Sequence, residues 1–321
     1  MKKAILTLFL LLSLQSFSQK TMITQNPNIT ANNLVEEIAK QVSHYNYEPI
    51  YQVYFKFGHC YIELYINDIL AYKNYGEGGG SSSFTINPYL LNFSNQTIKL
   101  RMYATEEFGE FLNNSAVKLG IGSYDNQQNE FAIEKRQSNL FIYQTPEDEN
   151  GFFKYAGKEY FEQTVTFTLP EVPYKIEGWK DSQDLRNFDK KLLEQKVLQA
   201  YQMIQKSFKE RDLDGIAQFS FNGMKDLTIA QYFDEEEMQE GWEELISIAG
   251  ADNLEFFPLE NYELVFYGEG RLVGLKSKKK DKGFRGASAL LCMFKREGKW
   301  VGAELDYLLH IPKGKTEFEI Y

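Results

Sequence analysis

Residues 51–68, YQVYFKFGHCYIELYIND, decide how the first half of this chain is read. Tyr51, Val53, Phe55 and Phe57 recur at every second position, and after Gly58-His59 the alternation resumes at Ile62, Leu64 and Ile66. A period of two puts successive side chains on opposite faces, so each run is a strand with one apolar face. Ile98, Leu100 and Met102 repeat the pattern in QTIKLRMYA, and QSNLFIYQT and QTVTFTLPEV follow. Short strands separated by turn residues predict an antiparallel β-sandwich over residues 50–172. The plentiful aromatics, 21 Tyr and 25 Phe in 321 residues, suit such sheets.

Working outward, Gly76 to Ser83 poses a choice between a phosphate cradle and a connection. A dinucleotide fingerprint needs a third glycine where Ser81 stands, and a P-loop needs a lysine that is missing. The run is therefore expected to be a loop joining two strands. Asn67-Asp68 is expected to be a hairpin turn and Asn95-Gln96 another. The pattern from IELYINDILAYKN through SFTINPYLL to QTIKLRMY resembles the jelly-roll and immunoglobulin-like modules of bacterial surface and glycan-handling proteins. That resemblance spans Tyr51 to Tyr103. It implies a binding or spacer unit and supplies no catalytic residue.

The N-terminus begins with Lys2 and Lys3, then an apolar run from Ala4 to Leu14, then the small residues Ser16 and Ser18. This is the layout of a secretory signal peptide over residues 1–18. The run is shorter than the ~20 residues that span a bilayer, and the first cysteine, Cys60, lies far from it. Export to the periplasm or beyond, without a lipid anchor, is the expectation. Loss of Lys2 and Lys3 would carry the formal charge from −10 to −12. Such an acidic chain is not expected to bind nucleic acid or an anionic membrane. Cys60 and Cys292 are distant in sequence and are expected to be unpaired. Within residues 19–49, Leu34, Ile38 and Val42 form one short amphipathic helix that must dock elsewhere.

Pro170 and Pro173 close the strand region, and residues 173–189 read as a linker. Beyond it, Leu193, Val197, Ala200, Ile204 and Phe208 stripe one face of a long helix. Shorter helices follow, then four strand signals, NYELVFYG, GRLVGLKSK, ASALLCMFKR and KWVGAELDYLLHI. This order predicts an α+β unit over residues 190–321. It resembles the nuclear-transport-factor-like cone fold shared with ketosteroid isomerases and polyketide cyclases, in which a curved sheet wraps a helix and leaves a pocket. The resemblance lies in element order.

Candidate chemistry is sparse. Glu304, Asp306 and His310 resemble an acid/base set, but Val301, Ala303, Leu305, Tyr307 and Leu309 occupy the other face of the same strand and must pack inward. The three polar residues are then expected on the solvent side and not in catalysis. Asp212 and Asp214 hint at a calcium loop that lacks its later oxygen ligands, so a helix end with Asp214 as N-cap is expected instead. The three histidines, His44, His59 and His310, are scattered, and no metal site or cofactor is expected. Tyr232, Phe233 and Trp242 are candidate ligand-binding aromatics at the mouth of a cone pocket. Lys276, Lys278, Lys279, Lys280, Lys282 and Arg285 form a basic run that opposes the charge of the whole chain and is a candidate partner-binding loop. The expectation is an exported, non-catalytic binding protein with a protein or glycan partner in the cell envelope. One form of it is an inhibitor that neutralises a periplasmic toxin. An enzyme or small-ligand carrier using the cone pocket is the alternative.

Overall fold

The computed structural model describes residues 25–76, 78–91, 95–127, 137–281 and 283–321. The expected signal peptide and Lys282 lie outside the described residues. The architecture is four antiparallel sheets, with the long helices late in the chain: a β-rich first part followed by an α+β part.

The first part holds eight strands: β1 (Pro49–Gly58), β2 (Tyr61–Ile66), β3 (Ile69–Asn74), β4 (Gly79–Thr85), β5 (Asn95–Tyr103), β6 (Ala116–Asp125), β7 (Gln137–Gln144) and β8 (Tyr160–Thr168). They form two four-stranded sheets, ordered β4-β1-β6-β7 and β3-β2-β5-β8. The alternation at Tyr51–Phe57 and Ile62–Ile66 supplies one apolar face to each sheet. The two faces meet in one core with Val117, Leu119, Ile121, Ile98, Leu100 and Met102. Asn67 and Asp68 both take positive φ, 48° and 66°, which gives a two-residue turn the twist that β2 and β3 require.

One expectation is corrected here. Gly79 to Ser83 belong to strand β4, not to a loop. The run pairs along the edge of β1, with Gly79 opposite Gly58 and Gly80 opposite Phe57. The backbone ladder overrides a poor strand propensity. A side chain at Gly80 would press on the Phe57 ring at 3.4 Å.

In the second part, α1 (Leu34–Ala39) comes from the N-terminal segment, and α2 (Lys190–Glu210), α3 (Leu213–Gln231) and α4 (Glu235–Gly250) follow the first sheets. Asp189 caps α2 by accepting from the Leu192 N–H, and Asp234 and Glu237 cap α4 reciprocally. The cap of α3 is Asp212, which accepts from the Gly215 N–H, rather than the expected Asp214. Strands β9 (Asp252–Phe256), β10 (Tyr262–Tyr267), β11 (Leu272–Ser277), β12 (Leu291–Arg296), β13 (Lys299–Glu304), β14 (Leu309–His310) and β15 (Glu319–Ile320) form two sheets, β10-β11-β14-β15 and β13-β12-β9. The last expected strand is thus split: β13 and β14 lie in different sheets. The helix stripe Val197, Ala200, Ile204 and Phe208 packs in one core with Trp242, Leu275, Leu305, Leu309 and the α1 residues Leu34 and Ile38.

Two further apolar clusters join the parts. Tyr65, Ile69 and Leu91 meet Trp179, Tyr267 and Leu272, while Ile50 meets Tyr174, Ala230 and Tyr232. Residues 173–189 contribute buried Tyr174, Trp179 and Leu185 to this packing, so the connecting segment is anchored along its length. As a result the second part covers the outer face of the sheet β3-β2-β5-β8 at β2 and partly at β3 and β5, while the outer residues of β8 stay exposed. Every residue of β2 is buried, on both faces.

Candidate functional site

That covered face carries the site. Across its four strands, Lys73, Glu63, Arg101 and Glu162 stand directly opposite one another in register, an alternating row of charges. Glu63 is 4% exposed. Its carboxylate accepts hydrogen bonds from the hydroxyls of Tyr65 at 2.7 Å, Tyr75 at 2.8 Å and Tyr103 at 3.2 Å. Lys276 Nζ, from β11, approaches at 3.5 Å and Arg101 Nη1 at 3.7 Å. Burial acts to raise the Glu63 pKa, but Lys276, the Tyr65 and Tyr75 hydroxyls and Arg101 together hold it below the ordinary carboxylate value. Burial pulls the Lys276 ammonium the other way, below the usual lysine value, against the pull of Glu63.

Glu63 is therefore an internal counter-charge with its lone pairs occupied. Around it, β2 and β5 of the first part and the loop after β11 of the second enclose a pocket of about 280 Å³. Six basic side chains line it, Arg101, Lys276, Lys278, Lys279, Lys280 and Arg285, against two carboxylates, Glu63 and Glu263. Arg285 lies over the Tyr75 ring at 4.4 Å and within 5.4 Å of Tyr61 and Tyr103. Lys279 sits 5.0 Å from Phe284 and 5.9 Å from Phe257. Stacking on aromatic faces fixes these cations, and Arg285 also lies 4.0 Å from the exposed Glu106 carboxylate. Gly286 closes the wall at φ 67°. A Cβ there would lie 2.9 Å from the Tyr75 ring and 3.4 Å from Glu63 Oε1, so both the backbone conformation and the close approach require glycine. Its carbonyl accepts from Lys73 Nζ at 3.0 Å.

The five described members of the basic run, Lys276, Lys278, Lys279, Lys280 and Arg285, are thus brought together at one pocket. The aromatic candidates are not. Tyr232 takes the left-handed conformation that ends α3, φ 56°, which turns its ring into a buried cluster 5.6 Å from Tyr174. Trp242 is buried in the helical core and Phe233 packs against it. None of the three presents a platform to ligand.

Of Glu304, Asp306 and His310, the first two are exposed as expected, while His310 is buried. Leu305 and Leu309 do pack inward. The opposite side, however, meets the first part. Glu304 pairs with Lys73 at 2.7 Å and accepts from the Ser288 N–H. Asp306 is exposed at its surface and within electrostatic reach of Glu304, Lys73 and Lys276. Burial raises its pKa, Glu304 adds to the rise, and Lys73 and Lys276 oppose it. His310 is 5% exposed, hydrogen-bonded to Ser182 Oγ at 2.7 Å, and burial pushes its pKa down to about 4. Glu304 and His310 thus have hydrogen-bond partners of their own.

Glu63, Tyr75 and Arg101 escaped the sequence reading. The available signal was the second face of β2, where Tyr61, Glu63 and Tyr65 alternate with the core residues. Cys60 and Cys292 are free and buried. Among the described residues no three His, Cys, Asp or Glu side chains are grouped to hold a metal ion, and no helix is long and apolar enough to cross a membrane. No family model, curated protein or solved structure matches this chain.

Proposed function

We propose that this is an exported, non-catalytic binding protein. A β-sandwich unit, residues 50–172, and a cone-like α+β unit, residues 190–321, hold between them a basic pocket for the anionic group of an envelope glycan. The observation that carries this reading is the charge of the pocket: six basic side chains to two acids, in a chain whose net charge is −10. A carboxylate or sulfate entering it would meet buried Lys276 and the stacked, half-buried Lys279 and Arg285, with exposed Lys278 and Lys280 at the rim. The pocket's size favours a glycan over a protein face. About 280 Å³ admits a sugar unit or chain end, whereas a stable protein interface needs ~800 Å² from each partner.

The test is calorimetric titration of the full chain with a sulfated tetrasaccharide and with its desulfated counterpart. The sulfated sugar should bind, the desulfated one should not, and Arg285→Ala should weaken binding about tenfold or more, the worth of one charged hydrogen bond. Equal affinity for the two sugars would overturn the reading.

One observation favours the rival reading of an enzyme. Asp306 is a carboxyl with a raised pKa and no hydrogen-bond partner among the described residues, near enough to Tyr89, Tyr201 and Tyr267 for its charge to raise their pKa values. Perturbed acids in clefts are the usual raw material of general acid catalysis. Turnover of an acidic glycan that Asp306→Asn abolishes, with binding intact, would place the enzyme reading first.

A further inference from the structure

The outer face of the other sheet, β4-β1-β6-β7, remains open and carries a second constellation. Two rows run across it in register. One is Ser83, Tyr54, Gly120 and Ile142, and the next is Ser81, Lys56, Lys118 and Gln144. In the first row, Gly120 leaves room for the Tyr54 ring to lie across β6. A Cβ on Gly120 would fall 2.6–2.8 Å from Tyr54 Cε2, Cζ and Oη. The hydroxyl reaches β7, donating to Asn139 Oδ1 at 3.0 Å and accepting from the Asn139 N–H at 3.2 Å. The ring is pinned at its tip yet remains 38% exposed, and Ile142 beside it is 54% exposed.

In the second row, Lys56 and Lys118 stand directly opposite each other on the two central strands. Like charges at such positions destabilise a sheet. Both side chains are exposed, and neither has an ion pair among the described residues. Among the described residues nothing offsets that repulsion. The rows are two residues apart, so the lysine pair lies about 7 Å from the tyrosine. Between them is a depression of about 570 Å³ edged by Ser81, Ser82 and Ser83.

We infer that this face is a second ligand site, which takes an acidic polysaccharide: one sugar ring stacks on Tyr54 and a carboxylate or sulfate bridges Lys56 and Lys118. Charge complementarity selects an anion. The mixture selects a sugar over a peptide, because one pinned ring among hydroxyls and amides offers stacking and hydrogen bonds but little of the apolar core that protein interfaces bury. The site lies on the opposite side of the paired sheets from the seam pocket, so the two are independent.

The test is titration of the full chain with a galacturonate hexamer, a sulfated galactan hexamer, the methyl-esterified galacturonate hexamer and a decaglutamate peptide. At least one acidic hexamer should bind, and the esterified form should not. The double variant Lys56→Gln/Lys118→Gln should weaken this binding about tenfold or more while keeping a melting temperature at or above wild type. Tyr54→Ala should weaken it about threefold to tenfold. Arg285→Ala, which tests the seam pocket, should leave it unchanged. Three results would overturn the proposal: no binding of either acidic hexamer, binding indifferent to the lysine variants, or decaglutamate binding as tightly with Tyr54→Ala without effect.

Discussion

The two sheets of the first part differ most in how they arrange charge. On one, Lys73, Glu63, Arg101 and Glu162 alternate in sign across the strands; the second part buries Glu63, Lys73 and Arg101 are half-buried, and Glu162 is exposed. On the other, two lysines face each other and the surface stays open. Both rows lie on the outer side of an equally regular alternation. The difference teaches that period two fixes which residues point away from a core, but not whether they then meet water or another part of the chain. A charge row balanced within itself tolerates being covered, whereas an unbalanced one remains costly unless something arrives to neutralise it.

The largest expected effect breaks the balanced row. Glu63→Ala leaves Lys276 buried without its counter-charge, half-buried Arg101 with Glu162 alone, and three tyrosine hydroxyls without their acceptor. The cost should be about 3–5 kcal/mol in urea unfolding, against within ~0.5 kcal/mol for Lys118→Ala on the open face. Equal effects at the two positions would show that the covered face is not covered in solution.

Next in size is a pH effect at the same seam. Burial depresses the His310 pKa from 6.5 to about 4, with Lys315 adding to the fall and Glu319 opposing it. The unfolded chain therefore takes up the proton first. The contribution is full above pH 6.5, is lost as the pH falls toward about 4, and is flat below that. The loss should reach about 3 kcal/mol, and His310→Gln should lack this part of the slope. Identical slopes in the two proteins would mean that the segment around Ser182 does not cover the ring.

Gly286→Ala follows, at about 1–3 kcal/mol, because it adds a positive-φ penalty to a clash with Tyr75. The loss should appear in binding of the sulfated sugar as well as in stability. Smallest is Lys118→Gln, which should stabilise by a few tenths of a kcal/mol by removing the facing lysine pair. A destabilisation would mean that an unrecognised acid already balances it.

Much of the order of elements was legible. Alternation located β1, β2 and β5, and the apolar stripe located α2. The Asn67-Asp68 turn was readable because those residues tolerate positive φ. The glycine-serine run was not, because β4 forms through pairing with β1 rather than through its own propensity. The break between β13 and β14 was invisible, since the apolar row continues through Leu305 while the chain changes sheet. At the site, the basic run was legible as a charge anomaly. Its counterpart was not, because Glu63 belongs to a face that only the second part of the chain buries. Tyr232 and Trp242 misled for the converse reason: large aromatics on and beside helices fill cores more often than they line clefts.

The measurement that tests the seam pocket most directly is lysine acylation read by mass spectrometry, with and without the sulfated tetrasaccharide. The account predicts that Lys278, Lys279 and Lys280 are protected by the sugar, while Lys190, Lys191 and Lys206 on α2 are acylated as before. Unchanged acylation at the three loop lysines under saturating sugar, or equal protection on α2, would contradict it.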